Sequence, residues 1–499
     1  GSNPVSPNFF NHTKMSFRFY NSYTKQLEDF TPKSGNKVTI YSCGPTVYDL
    51  AHIGNFRTYI FTDILRRSLS LGGYTIEQAM NITDVDDKTI RKTQESNSDP
   101  EIGDLRRLTD HYIEFFFQDM KILGIDKVEH FPRATDYIDS MVDLTQRLLK
   151  SKYAYKQDDS VYFSITKFSD YGKLSGIDLS SVKSGTRYNA DEYTKEDIRD
   201  FVLWKGEKGH EKIAWSTELG TGRPGWHLEC SAMIHEIFQG PIDIHTGGID
   251  LLFPHHENEI AQSLNAYGES FVQYWMHCEH LLVDGRKMSK SKGNFFTLRD
   301  VMEKGFHPAT LRYFLFSSHY RQKLNFTLEA LAQTRQTIRR IWNFYNRLLK
   351  ITITDSPDKT GFESDLAKNS SGWVEDFIKE LKDDLNTPRA LAVFHEAIRQ
   401  TNAYFDANGD ALSKESFTTV QKAFLKMDTV INILSYSGEI EATGESDIPD
   451  EVNSLLEQRV EARKNKDYAL SDQLRDRVDA LGYVILDSPD GARLQKKEL

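Results

Sequence analysis

The sequence predicts an α/β fold: a parallel sheet with covering helices, interrupted by an insertion, then a helical bundle and a small mixed α/β module. Three observations carry this. A β-branched run, Val38-Thr39-Ile40-Tyr41, leads into an amphipathic stretch from Phe56 to Leu71 and then a strand pattern from Thr75 to Ile82. That is the βαβ order of a parallel sheet. Helical spacing dominates from Thr327 to about Ser435, and from Glu451 two helical patterns precede a hairpin signal.

At 499 residues the chain has room for roughly two to four domains. A hydrophobic content of 39% and a charged content of 27% exclude disordered and fibrous classes. There is no run of eighteen or more apolar residues, so no membrane span is expected. The three cysteines, Cys43, Cys230 and Cys278, are too few for a disulfide framework and point to a reducing, cytoplasmic setting. Residues 1–14 carry no secretory or transit pattern. Gly1-Ser2 reads as an expression remnant and Met15 as the native start. A net charge of −11 opposes general nucleic-acid affinity, but a phosphate surface needs only a local basic stripe.

In chain order, Gly72-Gly73 ends the first helix, and further helices are expected from Asp104 to Leu123 and from Thr135 to Lys150. From Lys156 to Pro224 the chain is polar and turn-rich apart from Phe201-Val202-Leu203-Trp204, and it reads as an insertion into the sheet domain. Ile242-Asp243-Ile244 is strand-like, and Pro254 suits the first turn of a helix. Between Thr327 and Lys350 a helix carries Arg335, Arg339, Arg340, Arg347 and Lys350 against the single acid Glu329, a basic stripe suited to a nucleic-acid backbone. Polar linkers are expected at Thr352–Ser371 and near Glu439–Asp450. In the tail, Tyr483-Val484-Ile485-Leu486, a Ser488-Pro489-Asp490-Gly491 turn and a final strand make a hairpin.

Two motifs carry chemistry. His52-Ile53-Gly54-Asn55 stands at the start of the first helix, where unpaired backbone N–H groups and the positive dipole end favour an anion. Lys287-Met288-Ser289-Lys290-Ser291 puts two ammonium groups in a polar loop between Gly285 and Gly293, suited to charge building up on a phosphate. Together they resemble the two signatures of class I aminoacyl-tRNA synthetases. A metal constellation accompanies them. Cys43 closes the first strand, Cys230 follows Gly225-Trp226-His227-Leu228-Glu229, and Pro254-His255-His256-Glu257-Asn258-Glu259 lies downstream. His255 and Glu259 (four apart) or His256 and Glu259 (three apart) share a helix face, and spacing leaves both pairs open. Cys278 reads as a packing residue.

The combination resembles the cysteinyl-tRNA synthetase family, through Cys43-Gly44-Pro45-Thr46-Val47-Tyr48-Asp49, Asn81 to Lys88, Asp200 to Lys205, Gly225 to Met233 and Phe253 to Gln262. The resemblance implies a Rossmann-like catalytic domain at 15–155 and 225–326, an insertion at 156–224, a helical tRNA-binding domain at 327–438 and an anticodon-binding module at 451–499. It implies one Zn2+ per chain on Cys43, Cys230, His255 and Glu259, and a cysteine pocket around Thr83, Trp226 and His245. His52, Gly54 and Asn55 would line ATP. Met288, Ser289 and Ser291 belong to the second ATP motif, and Lys287 and Lys290 would meet the transition-state charge. Asn55 departs from the superfamily pattern, which more often has histidine there; it donates a hydrogen bond but carries no charge.

The implied reaction is ATP-dependent activation of L-cysteine, with Mg2+, followed by transfer to tRNA(Cys) by a monomer. Zinc suits that task, because a free thiol titrates near ~8.5 and a coordinating thiol is deprotonated outright. Discrimination of roughly 10⁴–10⁵ is then within reach of the site without editing. Four protein ligands plus substrate would make five-coordination, which marks Glu259 as a weak or displaceable ligand. A related ligase joining cysteine to an amino sugar would share the zinc and ATP motifs but lack the tail, and the chain continues through Arg459 to Arg475. A catalytically dead RNA-binding homologue would tend to lose metal or ATP residues, and none is missing.

Overall fold

The computed structural model describes residues 16–176, 187–188, 200–207, 212–288, 293–355, 361–439, 450–464, 467–488 and 491–496. A hairpin of β1 (Arg18–Asn21) and β2 (Gln26–Asp29) precedes β3 (Lys37–Ser42), α1 (Ile53–Leu71) and β4 (Thr75–Met80). Helices α2 (Asp87–Ser96), α3 (Ile102–Ile122) and α4 (Ile138–Lys150) follow. Next come β5 (Ala154–Gln157), β6 (Ser160–Phe163), β7 (Arg187–Tyr188), β8 (Asp200–Gly206), β9 (Trp215–Thr217) and β10 (Gly220–Pro224). The chain returns through α5 (Leu228–Phe238), β11 (Ile242–Gly248), α6 (Glu257–Tyr267) and β12 (Val272–Cys278).

The four-stranded sheet has the order β12-β11-β3-β4, and every pairing in it is parallel. β11 is buried along its whole length, polar residues included. Asp243 is tolerated there because its carboxylate accepts from the Thr39 N–H and hydroxyl and from the Lys33 N–H, at 2.7–2.8 Å. Such polar residues hid the strand's length: the apolar run stops at Ile244, whereas the strand reaches Gly248.

The insertion is less irregular than its polarity suggests. Its strands form one sheet, β5-β6-β8-β10-β9, with β7 paired to β8. β8, which contains Phe201 to Trp204, is buried throughout. The flanking strands β6 and β10 are too short to show a period of two, and β6 is buried at every position.

A second small sheet, β14-β13-β15, is made by β13 (Leu281–Val283), β14 (Arg286–Lys287) and β15 (Leu324–Phe326), the last reached through α7 (Leu298–Glu303) and α8 (Pro308–Phe316). The helical region contains α9 (Leu328–Leu349), β16 (Thr352–Thr354), α10 (Phe362–Lys382), α11 (Thr387–Asn408), β17 (Ala411–Ser413) and α12 (Lys414–Ile431). The expected linker at 352–371 is therefore largely structured. β16 pairs with β17, and Leu366 begins a buried helical stripe continued by Trp373, Phe377 and Leu381; within the expected linker, Glu, Lys and Ser residues around Leu366 obscured its start. No helix of the described residues is long and apolar enough to cross a membrane.

Leu434–Leu499 is a separate compact unit. Its helices, Asp450–Lys464 and Tyr468–Ala480, and the antiparallel hairpin of Tyr483–Ser488 and Gly491–Lys496 match the expected helix pair and final hairpin. Val452, Leu455, Leu474, Val478 and Tyr483 form its core.

Candidate active site and metal centre

A cleft of about 310 Å³ opens at the C-terminal ends of β3, β11 and β12, the edge at which parallel α/β sheets bind ligands. Its walls are the Cys43–His52 loop after β3, Gly248 at the end of β11 with Asp250 just beyond it, and Cys278 to Leu281 at the end of β12. Trp226, Gly54, Asn55, Lys287 and Met288 also line it. Cys43 and Trp226 thus share one cavity with both expected ATP motifs. Thr83 and His245 are not among the lining residues.

The start of α1 differs from the expected row of unpaired donors. His52 is the N-cap: its Nδ1 accepts from the Asn55 N–H at 3.1 Å, and its own N–H donates to Asn55 Oδ1 at 3.1 Å. This is a capping box built from His and Asn. The Ile53 N–H is also used, donating to Phe296 O at 2.9 Å. Asn55 therefore locks the imidazole, and a neutral His52 ring bears its proton on Nε2. Gly54 lies beneath that ring, where a Cβ would come within 2.9 Å of Nδ1 and Cε1. Lys287 is exposed on the edge strand β14. Ser289, Lys290 and Ser291 lie outside the described residues.

Behind the cleft lies a buried donor cluster. Ligand atoms of Cys43, Cys230, His255 and Glu259 all fall within 4.8 Å of one another. Cys43 Sγ is 3.8 Å from Cys230 Sγ, Cys230 Sγ is 3.4 Å from His255 Nε2, and His255 Nε2 is 3.0 Å from Glu259 Oε1. An overlapping set is Cys43, His245, His256 and Glu259. In it Cys43 Sγ is 3.3 Å from His256 Nε2, which lies 4.0 Å from Glu259 Oε1. Both helical pairs left open by spacing thus face the cluster. His256 has an engagement on its other side, Nδ1 to His277 Nε2 at 2.8 Å, and His277 reaches Ser22 Oγ at 2.8 Å.

The electrostatics of the cluster favour a cation. Burial raises the Cys43 thiol and raises the Cys230 thiol strongly. Burial alone would hold His255 neutral, but Cys230 and Glu259 push it up to about 10. Burial opposes ionisation of Glu259 too, yet His245 and His255 pull it down to about 2. Glu259 Oε1 makes no hydrogen bond of acceptable geometry among the described residues, although His255 Nε2 lies 3.0 Å from it. Two thiols, an imidazole and a carboxylate oxygen around a centre that draws positive charge form a donor set that could hold a metal ion.

Of the residues expected around the amino-acid pocket, Trp226 stacks on His255 with ring centroids 4.3 Å apart. The Thr83 hydroxyl donates to Glu229 Oε2 at 2.6 Å. His245 is fully buried, stacked on Trp275 at 4.6 Å, with Nε2 2.9 Å from Glu259 Oε2. Sequence reasoning gave no role to His227, Glu229, Trp275 or His277, though all four pack around this cluster. His277 is brought there by β12, which runs parallel to β11 with Gly247 opposite His277, a register with no signal in the sequence.

Comparison with known proteins agrees in three segments. Residues 29–336 match the model of class I (C) tRNA synthetase catalytic domains, 376–435 match the DALR domain, and 445–493 match the cysteinyl-tRNA ligase anticodon binding domain. The chain is 48% identical over 484 residues to a cysteine–tRNA ligase of Leptospira interrogans, covering 97% of this chain and 100% of that one. It is 42% identical over 482 residues to that of Brachyspira hyodysenteriae, covering 96% and 99%. Among solved structures, methionyl-tRNA synthetase from Mycobacterium tuberculosis superposes with a TM-score of 0.56 at 14% identity, over 81% of this chain and 91% of that one. Leucyl-tRNA synthetase from Agrobacterium radiobacter gives 0.57 at 11%, over 82% and 86%. At such identities the two structures speak for the fold alone.

Proposed function

The chain belongs to the cysteinyl-tRNA synthetase family, and from that premise we propose that it activates L-cysteine with ATP in the cleft beyond β3 and transfers it to tRNA(Cys). The cysteine carboxylate attacks the α-phosphate of ATP, pyrophosphate leaves, and the terminal ribose of the tRNA then displaces AMP from the mixed anhydride. The observation that carries this reading is the single cleft joining Cys43 and Trp226 to His52, Gly54, Asn55 and Lys287. A reaction at phosphorus depends mostly on positioning and on meeting developing charge. His52, locked by Asn55, offers Nε2–H to a phosphate oxygen; Gly54 leaves room beside the ring. Lys287 and Lys290, both of the second motif, neutralise the departing pyrophosphate.

Cys43, Cys230, His255 and Glu259 would hold Zn2+. Bound there, it supplies a soft centre at which a substrate thiol binds as thiolate and a serine hydroxyl does not. Trp226, stacked on His255, forms the pocket wall beside it, and Thr83 is oriented by Glu229. Acceptance of tRNA, and not of a small amino sugar, is supported by the matched anticodon-binding segment at 445–493. Arg335, Arg339 and Arg340 on α9 offer a basic track to the tRNA backbone, while Arg347 is paired with Asp406 and Asp410, and the reducing cytoplasm suits the three free cysteines.

The test is amino-acid-dependent ATP–pyrophosphate exchange with cysteine and with serine, with and without a zinc chelator, followed by charging of tRNA(Cys). Exchange with cysteine alone, lost on chelation and followed by charging, is expected. Exchange without transfer to tRNA would move the reading to a small acceptor.

A further inference from the structure

Arg57 lies just inside α1, one turn beyond His52, and is only 2% exposed. Its hydrogen bonds go to backbone carbonyls and one hydroxyl. Nε donates to Glu279 O at 3.0 Å, Nη1 to Leu315 O at 3.0 Å and Nη2 to Gln322 O at 2.5 Å, with Ser318 Oγ at 3.3 Å and His319 O at 3.5 Å. Burying a guanidinium this way is unfavourable compared with an apolar side chain of similar volume. What the arginine adds is geometry, because its planar fork fixes several acceptors relative to one helix.

Those acceptors have a common destination. Glu279 links β12 to β13, two residues before Leu281, and Gln322 lies two residues before Leu324, where β15 begins. The two strands pair in parallel, Leu281 with Leu324 and Val283 with Phe326. β14, with Lys287, pairs on the other edge of β13. One side chain of the His52 helix thus grips both leads into the sheet that presents Lys287. The far side of the signature loop is tied to the same helix: Ile53 N–H donates to Phe296 O, His52 bridges Thr297, and the Phe295 ring meets His52 edge-on at 5.4 Å.

We propose that Arg57 is a positioning residue for the activation step, setting the distance between the His52 motif and the Lys287 sheet. The inference rests on the reading of this cleft as the site of cysteine activation. Arg57 acts through two backbone segments and touches no reacting atom. Its loss therefore falls on kcat for activation. The cysteine-binding end, at the close of β3, keeps its geometry.

The experiment uses the full-length zinc-loaded protein and its Arg57→Gln and Arg57→Lys variants, reading pyrophosphate exchange, KM for cysteine, zinc content and melting temperature. Arg57→Gln is expected to lower kcat by about 10²-fold, the scale of a small misplacement of reacting groups, with KM for cysteine and zinc content unchanged. Arg57→Lys, which keeps the charge but not the fork, is expected to recover only part of the loss. A folded Arg57→Gln variant with wild-type kcat would overturn the proposal. So would a parallel loss of zinc, cysteine affinity and melting temperature, which marks a merely structural role. Should neither variant fold, one glycine inserted after the exposed Gln322 shifts the carbonyl that Arg57 holds while leaving Arg57 intact. The same selective loss of kcat is then expected, and unchanged kcat sinks the idea. Wild-type protein without cysteine-dependent exchange would refute the functional reading itself, a result distinct from an active Arg57 variant.

Discussion

His245 Nε2 lies 2.9 Å from Glu259 Oε2, and both side chains are fully buried. The contact occupies one carboxylate oxygen and leaves Oε1 facing Cys230 and His255. Glu259 is thereby held at the cluster even if its own bond to a metal is weak, which bears on the five-coordination expected when substrate binds. Outer partners of this kind are typically worth roughly 10–100-fold in metal affinity. His245→Asn, which removes the contact, should therefore weaken zinc binding by about that factor while leaving Cys43 and Cys230 in place. Competition with a chromophoric chelator measures it; affinity equal to wild type would show that the orientation of Glu259 does not matter.

Zinc binding should also be steeply pH-dependent. In the metal-free cluster burial raises both thiols, and His255 is carried up to about 10. All three are protonated at neutral pH and must release protons to bind a cation. Apparent affinity is expected to rise by about tenfold or more per pH unit between pH 6 and 8, and Cys230→Ser should abolish stoichiometric zinc. Chelator competition at several pH values and metal analysis of the variant are the measurements. A flat profile, or one zinc per chain in Cys230→Ser, would remove the thiols from the site.

Much of this site was legible in the sequence because its residues lie in short segments next to glycine or proline. Cys43 precedes Gly44-Pro45, and His255 follows Pro254, so strand end and helix start could be placed and the donors with them. The choice between His255 and His256 was not legible, and both face the cluster. Their difference lies in what the other ring nitrogen meets, His227 for one and His277 for the other, and that depends on how the start of α5 and the strand β12 pack against α6. The insertion sheet and the start of α10 were missed for a related reason: buried Ser, Thr and Glu side chains satisfied by tertiary hydrogen bonds look like solvent-exposed linker. Glu363 is an example, 2% exposed and accepting from the Ser413 N–H at 2.9 Å.

Two segments that carried the family resemblance meet at an ion cluster. Asp87, the first residue of α2, receives Lys205 Nζ from β8 at 2.9 Å and Arg223 Nη2 from β10 at 2.7 Å. Burial would raise its carboxyl, but the two cations outweigh it and bring the pKa to about 2. A carboxylate depressed in the folded state contributes stability above its unfolded pKa and loses it as pH falls through the folded value. Asp87→Asn should cost about 1 kcal/mol at neutral pH, after allowing for partial solvent screening. The difference from wild type should be full above about pH 4 and shrink toward pH 2. Denaturant titration of both proteins across that range tests it, and a difference independent of pH would exclude the ion cluster as its source.

The His52 cap makes Gly54 the most sensitive small residue of the cleft. A Cβ there would lie 2.9 Å from both Nδ1 and Cε1 of His52 and 3.6 Å from Met288 Cε. The ring has little freedom to yield, since Nδ1 accepts the Asn55 N–H and the ring face meets Phe295. Gly54→Ala should therefore swing the imidazole out of the cap, with a loss of roughly 10² in the activation rate for a displacement near 1 Å. Zinc content should stay at the wild-type level, because the donor cluster is anchored on β3, α5 and α6 and not on α1. Exchange assays with ATP varied at saturating cysteine separate the outcomes. A fall in kcat with intact zinc supports the capped His52 as a phosphate-facing group. Wild-type kcat in Gly54→Ala would mean that the ring's position is immaterial to the reaction.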